Sequence, residues 1–178
     1  MSVSVSKMKK LIYLDWVHRL KILLTGTALS LSVFTTTGTS QVWANSKDQV
    51  IAQTIETLQQ SDRRWIQIDL SKQRLIAWEG DRVVYGSAIS SGKKATPTLV
   101  GTFKVQSKFK TTRMQGENYN VPNVPYAMFY EGNYAIHGAY WHKRFGTPVS
   151  HGCVNIAPKH AKWLFQWASV GTPIVIQK

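Results

Sequence analysis

At 178 residues the chain has room for one domain with a real core and not for two comfortable ones. Apolar residues make up 43% of it, with seven Trp and seven Tyr, which excludes a disordered chain, and one cysteine excludes an internal disulfide or a four-cysteine zinc site. Of 22 basic and 9 acidic residues, five and one fall within 1–44, leaving 17 against 8, net +9, a field that suits an anionic polymer.

The first segment reads as an address. Lys7 to Lys21 form a basic n-region, and Ile22 to Phe34 form a charge-free apolar run of 13 residues, short of the ~20 that span a bilayer. Small polar residues follow, ending in Val42-Trp43-Ala44, which fits a signal peptidase site with cleavage before Asn45. Residues 1–44 are therefore expected to be a signal peptide, with an uncleaved anchor as the weaker alternative. The mature chain is expected outside the cytoplasm, in the periplasm or cell wall, with no stable membrane insertion. Residues 45–62 read as a linker or short polar helix, and 63–178 as the working domain.

Within 63–178 the period is two. Ile66, Ile68 and Leu70 alternate with Trp65, Gln67 and Asp69, as a strand with one buried face should. A turn at 71–73 leads to a second strand, Arg74 to Glu79, and Gly80-Asp81 marks a hairpin into a third, Arg82 to Ile89. Further strands are predicted over 101–109, 126–130 and 133–136. Lys110 to Pro125, rich in Asn, Gly and Pro, reads as a long loop. A helix is predicted from Pro158, with Ala161, Leu164, Phe165 and Ala168 on one face and a stop at Gly171. Residues 172–177 close the chain as a strand. The fold class is mainly β, a sandwich or barrel-like domain with one late helix.

The basic residues are scattered apart from Lys104, Lys108, Lys110 and Arg113, with no nucleic-acid motif, so no nucleic-acid partner is expected. A lone cysteine is by default a core filler. Cys153, in Ser150-His151-Gly152-Cys153-Val154-Asn155, has a different context. A free thiol ionises near ~8.5, so a nucleophile needs help from an imidazole or a helix N-terminus. The helix after Pro158 is a candidate for the second, and N–H groups near Gly152 and Cys153 are candidates for an oxyanion hole. Of the five histidines, His137 ends a strand and precedes Gly138, which makes it the better base. His151, two residues from the thiol, is expected to shape the turn or touch substrate.

Ile136-His137-Gly138 followed by Ser150-His151-Gly152-Cys153-Val154-Asn155 resembles the signature of the L,D-transpeptidases, cysteine enzymes that remodel peptidoglycan. Ile68 to Leu75 resembles that family's opening hairpin, and Thr96-Pro97-Thr98 with Gly101-Thr102-Phe103 its middle loop and strand, so the likeness covers about residues 65–178. It implies the L,D-transpeptidase catalytic fold and a two-step acyl transfer. Cys153 would attack the amide before the terminal D-Ala of a tetrapeptide stem, form a thioester, and pass the acyl group to an amine. His137 would be the general base and acid, steadied by the Gly138 carbonyl. Ser150, His151, Gly152 and Asn155 would frame the pocket, and Tyr126 and Met128, on the strand leading to His137, are expected to line it. Peptidoglycan stem peptides are the implied partners, with no metal or organic cofactor and a monomeric chain. The alternatives are an L,D-carboxypeptidase that uses water, a non-catalytic wall-binding module, and a zinc hydrolase built on His137, His151 and Cys153.

Overall fold

The computed structural model describes residues 39–178, with side chains from Ser46 onward. The expected signal segment lies outside the described residues as far as 38. From Thr39 the chain is helical (α1, Thr39–Gln59), and this helix runs through the expected cleavage point. Among the described residues no helix is long and apolar enough to cross a membrane.

Two sheets face each other across one core. The first contains β1 (Arg64–Asp69), β2 (Arg74–Glu79), β3 (Arg82–Ala88), β4 (Gly101–Lys104) and β9 (Pro173–Gln177), in the order β3-β2-β1-β9-β4. The second contains β5 (Ser107–Gly116), β6 (Tyr119–Glu131), β7 (Tyr134–Gly138) and β8 (Val154–Ile156), in chain order. This is the mainly-β architecture the alternating pattern predicts. The late helix is α2 (Pro158–Trp167), with Pro in its first turn, where a missing N–H costs nothing.

Period-two alternation gives the first sheet two dry faces. Ile66, Ile68, Ile174 and Ile176 point inward to meet Met128, Tyr130 and Ile136 of the second sheet and Leu164 of α2. Trp65 and Val175 point outward, where Ile51, Ile55 and Leu58 of α1 cover them at helical spacing. Trp65 is fully buried, stacks on Trp78 at 5.3 Å and donates its indole N–H to Gly80 O at 2.8 Å.

Two sequence expectations are corrected. Residues 110–125 are not a loop: they form most of the β5–β6 hairpin, and 101–109 is split between β4 and β5. Pro122 and Pro125 lie in β6 beyond the point where β7 pairs with it, so their missing N–H groups fall on a free edge, where proline is tolerated. The helix ends at Trp167 rather than at Gly171. Its last carbonyls are capped from outside by the Lys108 ammonium, which donates to Phe165 O at 2.6 Å and to Ala168 O.

Trp65→Ala removes the side chain that joins α1 to the sheet and leaves Gly80 O without its donor. It is expected to lower the unfolding free energy by ~3–5 kcal/mol, measured by urea denaturation. A loss below ~1 kcal/mol would show that α1 contributes little to the fold.

Candidate active site

The site is built on a parallel strand pair. In the β7–β8 register Ile136 pairs with Val154, His137 with Asn155 and Gly138 with Ile156. Paired residues share a face and successive residues alternate. Ile136, Val154 and Ile156 therefore enter the core, while His137 and Asn155, and Cys153 two residues before Asn155, turn the other way. There they line one open cleft of about 360 Å³. The same rule corrects the expectation for Met128 and Tyr126. Met128 pairs with Ile136 across β6–β7, so it lies in the core with no exposure, and Tyr126 packs on Phe165 of α2. Neither lines the cleft.

His137 is almost wholly buried, and its Nδ1 lies 3.1 Å from Gly138 O. A carbonyl only accepts, so Nδ1 carries the proton and Nε2 keeps a free lone pair, the form a general base needs. Burial pushes the imidazole down to about 4, against a smaller upward pull from the Gly138 carbonyl, with His142 adding a further downward push. Gly138 also has to be glycine, because a Cβ there would meet Pro125 Cγ at 2.9 Å and Pro158 Cα at 3.2 Å.

The Cys153 thiol is pushed up by burial, opposed by the backbone N–H of Ala135. Its S–H points at Asn133 O, 3.6 Å away. Burial thus disfavours the charged form of both groups, more completely for His137 than for the half-buried Cys153. The helix dipole does not supply the help expected of it: Cys153 stands five residues before the start of α2 with the extended β8 between them, roughly 16 Å along the chain and beyond a first-turn effect.

The loop before the thiol is held from several sides. Ser150 Oγ donates to Cys153 O and accepts the Gly152 N–H at 3.1 Å. Gly152 N–H is thus already engaged, and of the two amides expected to form an oxyanion hole, Cys153 N–H is the one left to that role. Gly152 has φ +120° and a Cβ there would sit 2.7 Å from the Tyr134 ring, so no other residue fits without strain. Thr98 Oγ1 donates to Gly152 O and accepts from Gly92 N–H, both at 2.8 Å, and Thr96 Oγ1 donates to Ser150 O. The Thr96-Pro97-Thr98 turn, likened in the sequence to the family's middle loop, is a brace for the loop that carries Cys153.

His151 is exposed and its ring stacks on Tyr119 at 4.9 Å. Asn155 is buried, and its amide lies 3.0 Å from His142 Nε2. The Asn155 atom that faces His142 Nε2 is Nδ2, and Arg144 N–H approaches the other ring nitrogen, Nδ1, at 3.2 Å. Sequence reasoning missed Met114, Tyr119 and Val121, which reach the cleft from the hairpin taken for a loop, and Trp141, whose ring stacks on His137 at 5.8 Å. Nothing local in the sequence marks them. Among the described residues no three His, Cys, Asp or Glu side chains gather closely enough to hold a metal ion, so the zinc reading has no ligand set to rest on.

Residues 63–176 match the family model described as YkuD, L,D-transpeptidase catalytic domain. L,D-transpeptidase 1 of Mycobacterium tuberculosis is 32% identical over 99 residues, which cover 49% of this chain and 39% of that protein. The solved catalytic domain of an Enterococcus faecium L,D-transpeptidase superposes with a TM-score of 0.60 at 31% identity, over 65% of this chain and 98% of that one. An L,D-transpeptidase solved in complex with imipenem gives a TM-score of 0.62 at 28% identity, over 65% of this chain and 59% of that one. The chain thus spans about two fifths of the length of the mycobacterial relative.

The buried imidazole makes stability depend on pH in a defined direction. In the unfolded chain His137 takes a proton near 6.5; in the folded protein it resists until about 4. The unfolded state binds the proton first as pH falls, so this contribution is intact above 6.5 and is lost between 6.5 and 4, about 3 kcal/mol in all. Urea midpoints of wild type and His137→Gln at pH 7, 5.5 and 4.5 read it. The variant is expected to lose less stability than wild type over that range, and parallel curves would contradict the burial argument.

Proposed function

The chain belongs to the L,D-transpeptidase catalytic-domain family, and from that we propose that it is an exported cysteine acyltransferase acting on peptidoglycan stem peptides. One observation carries the reading: His137 in β7 and Cys153, the residue that leads into the adjacent parallel β8, line one cleft, and His137 Nδ1 is held by the Gly138 carbonyl. In the proposed reaction Cys153 Sγ attacks the carbonyl of the amide before the terminal D-Ala, and His137 Nε2 takes the thiol proton. Charge develops on the carbonyl oxygen, and Cys153 N–H donates a hydrogen bond to it. Collapse breaks the C–N bond; the amine of D-Ala leaves with the proton from His137, and the acyl group stays as a thioester. An amine acceptor then gives a proton to Nε2 as it attacks, a new amide forms, and the thiol is restored. Water in place of the amine would make the same acyl-enzyme an L,D-carboxypeptidase.

The N-terminal basic and apolar segments and the net +9 of residues 45–178 support an exported protein working on an anionic wall polymer, in the periplasm or cell wall. The directions of the two shifts fit the chemistry: burial disfavours charge on both groups, so proton transfer to Nε2 accompanies the attack of sulfur.

The direct test is incubation of the purified chain with a tetrapeptide muropeptide. Mass spectrometry should find free D-Ala and an acyl adduct on Cys153, and Cys153→Ala should lose at least ~10³-fold in rate. A variant as active as wild type would sink the proposal. A relative is known in complex with imipenem, and the same thiol should open a carbapenem ring here. Intact mass after incubation is expected to rise by one carbapenem in wild type and stay unchanged in Cys153→Ala.

A further inference from the structure

Arg144 lines the same cleft as Cys153 and His137, and no Asp or Glu does. Among the described residues none of the salt bridges includes it, and its guanidinium makes no hydrogen bond. Its backbone, by contrast, is tied down. The Arg144 N–H donates to His142 Nδ1 at 3.2 Å, and Arg144 O accepts from Ser90 Oγ at 2.7 Å. Ser90 exchanges both backbone hydrogen bonds with Asn155, at 2.8 and 2.9 Å, two residues beyond the nucleophile. Gly146 N–H donates to Ile89 O at 2.7 Å and pins the turn that follows. A cation with an open valence is thus mounted on the frame that positions the thiol. Its side chain is exposed at the cleft wall, so it does not answer to any need of the core.

We infer that Arg144 is a specificity-determining residue that binds a carboxylate of the donor peptide, the one on the residue that leaves. This rests on the proposed acyl transfer. An amide cut one residue from a free C-terminus presents a carboxylate within a few ångströms of the attacked carbon. A planar guanidinium takes it through two parallel N–H bonds, which a point cation such as lysine matches only in part. With no carboxylate of the protein in the cleft to compete, the guanidinium is available to the ligand.

The test pairs two donor peptides, one ending in a free carboxylate and the other in its carboxamide. With the full wild-type chain the free acid should be turned over ~10- to 100-fold better in kcat/KM, as the loss of a charged hydrogen-bond pair predicts. In Arg144→Gln that ratio should collapse toward one, chiefly through KM for the acid, and Arg144→Lys should restore part of it. An Arg144→Gln chain that keeps the wild-type ratio overturns the inference. Should wild type release neither D-Ala from the acid nor D-alaninamide from the carboxamide, the acyl-transfer reading fails by itself. The carboxylate site is then decided by calorimetric titration of Cys153→Ala with both peptides: preference for the acid that Arg144→Gln abolishes supports it, and equal binding overturns it.

Discussion

The parallel pairing of β7 with β8 is the constraint on which the site depends. It sends Ile136, Val154 and Ile156 into the core and leaves His137, Cys153 and Asn155 on the opposite face. A slip of one residue would bury the polar set and expose the apolar one, so hydrophobic packing on one side enforces the alignment of chemistry on the other. The pairing is short, three residues in β8, and it is reinforced by the Ser90–Asn155 bridge and by the Thr96-to-Thr98 brace on Ser150 and Gly152. Close backbone approach makes this possible: a Cβ on Gly92 would lie 2.9 Å from Gly152 Cα and nearer still to Thr96 O.

Burial decides the electrostatics. It disfavours charge on the imidazole and on the thiol alike, and fixed backbone groups stand beside both. The Gly138 carbonyl chooses the tautomer, the Asn133 carbonyl faces the S–H, and the Ala135 N–H favours the thiolate when it forms. Trp141 over the imidazole and the Tyr119–His151 stack narrow the approach of solvent.

Much of the fold was legible because its strands alternate cleanly. Ile66 and Ile68 against Trp65 and Gln67, and Ala161, Leu164 and Ala168 at helical spacing, carry their periods on their faces. The β5–β6 hairpin was not legible, because Pro122, Pro125 and the Asn and Gly residues around them carry the local signals of a loop. Those signals are overruled only by the free edge that β7 leaves beside them. β8 is too short to show a period at all. In the site, Cys153, His137 and Ser150 stood out by residue type and spacing, whereas the inward direction of Met128 depended on its cross-strand partner.

The sequence by itself determined the residue types available for chemistry, the mainly-β class and the late helix, because these follow from composition and local periodicity. Only the tertiary structure decided which groups meet. It brought Trp141, Tyr119 and Arg144 to the cleft, committed the Gly152 amide to Ser150, and set the thiol apart from the helix dipole. Most of these depend on residues brought together from separate stretches of the chain or on a hydrogen bond already spent, and neither is written in a local pattern. It also raised the Cys153 thiol where proximity to a helix in sequence had promised to lower it, since burial is a property of the whole fold.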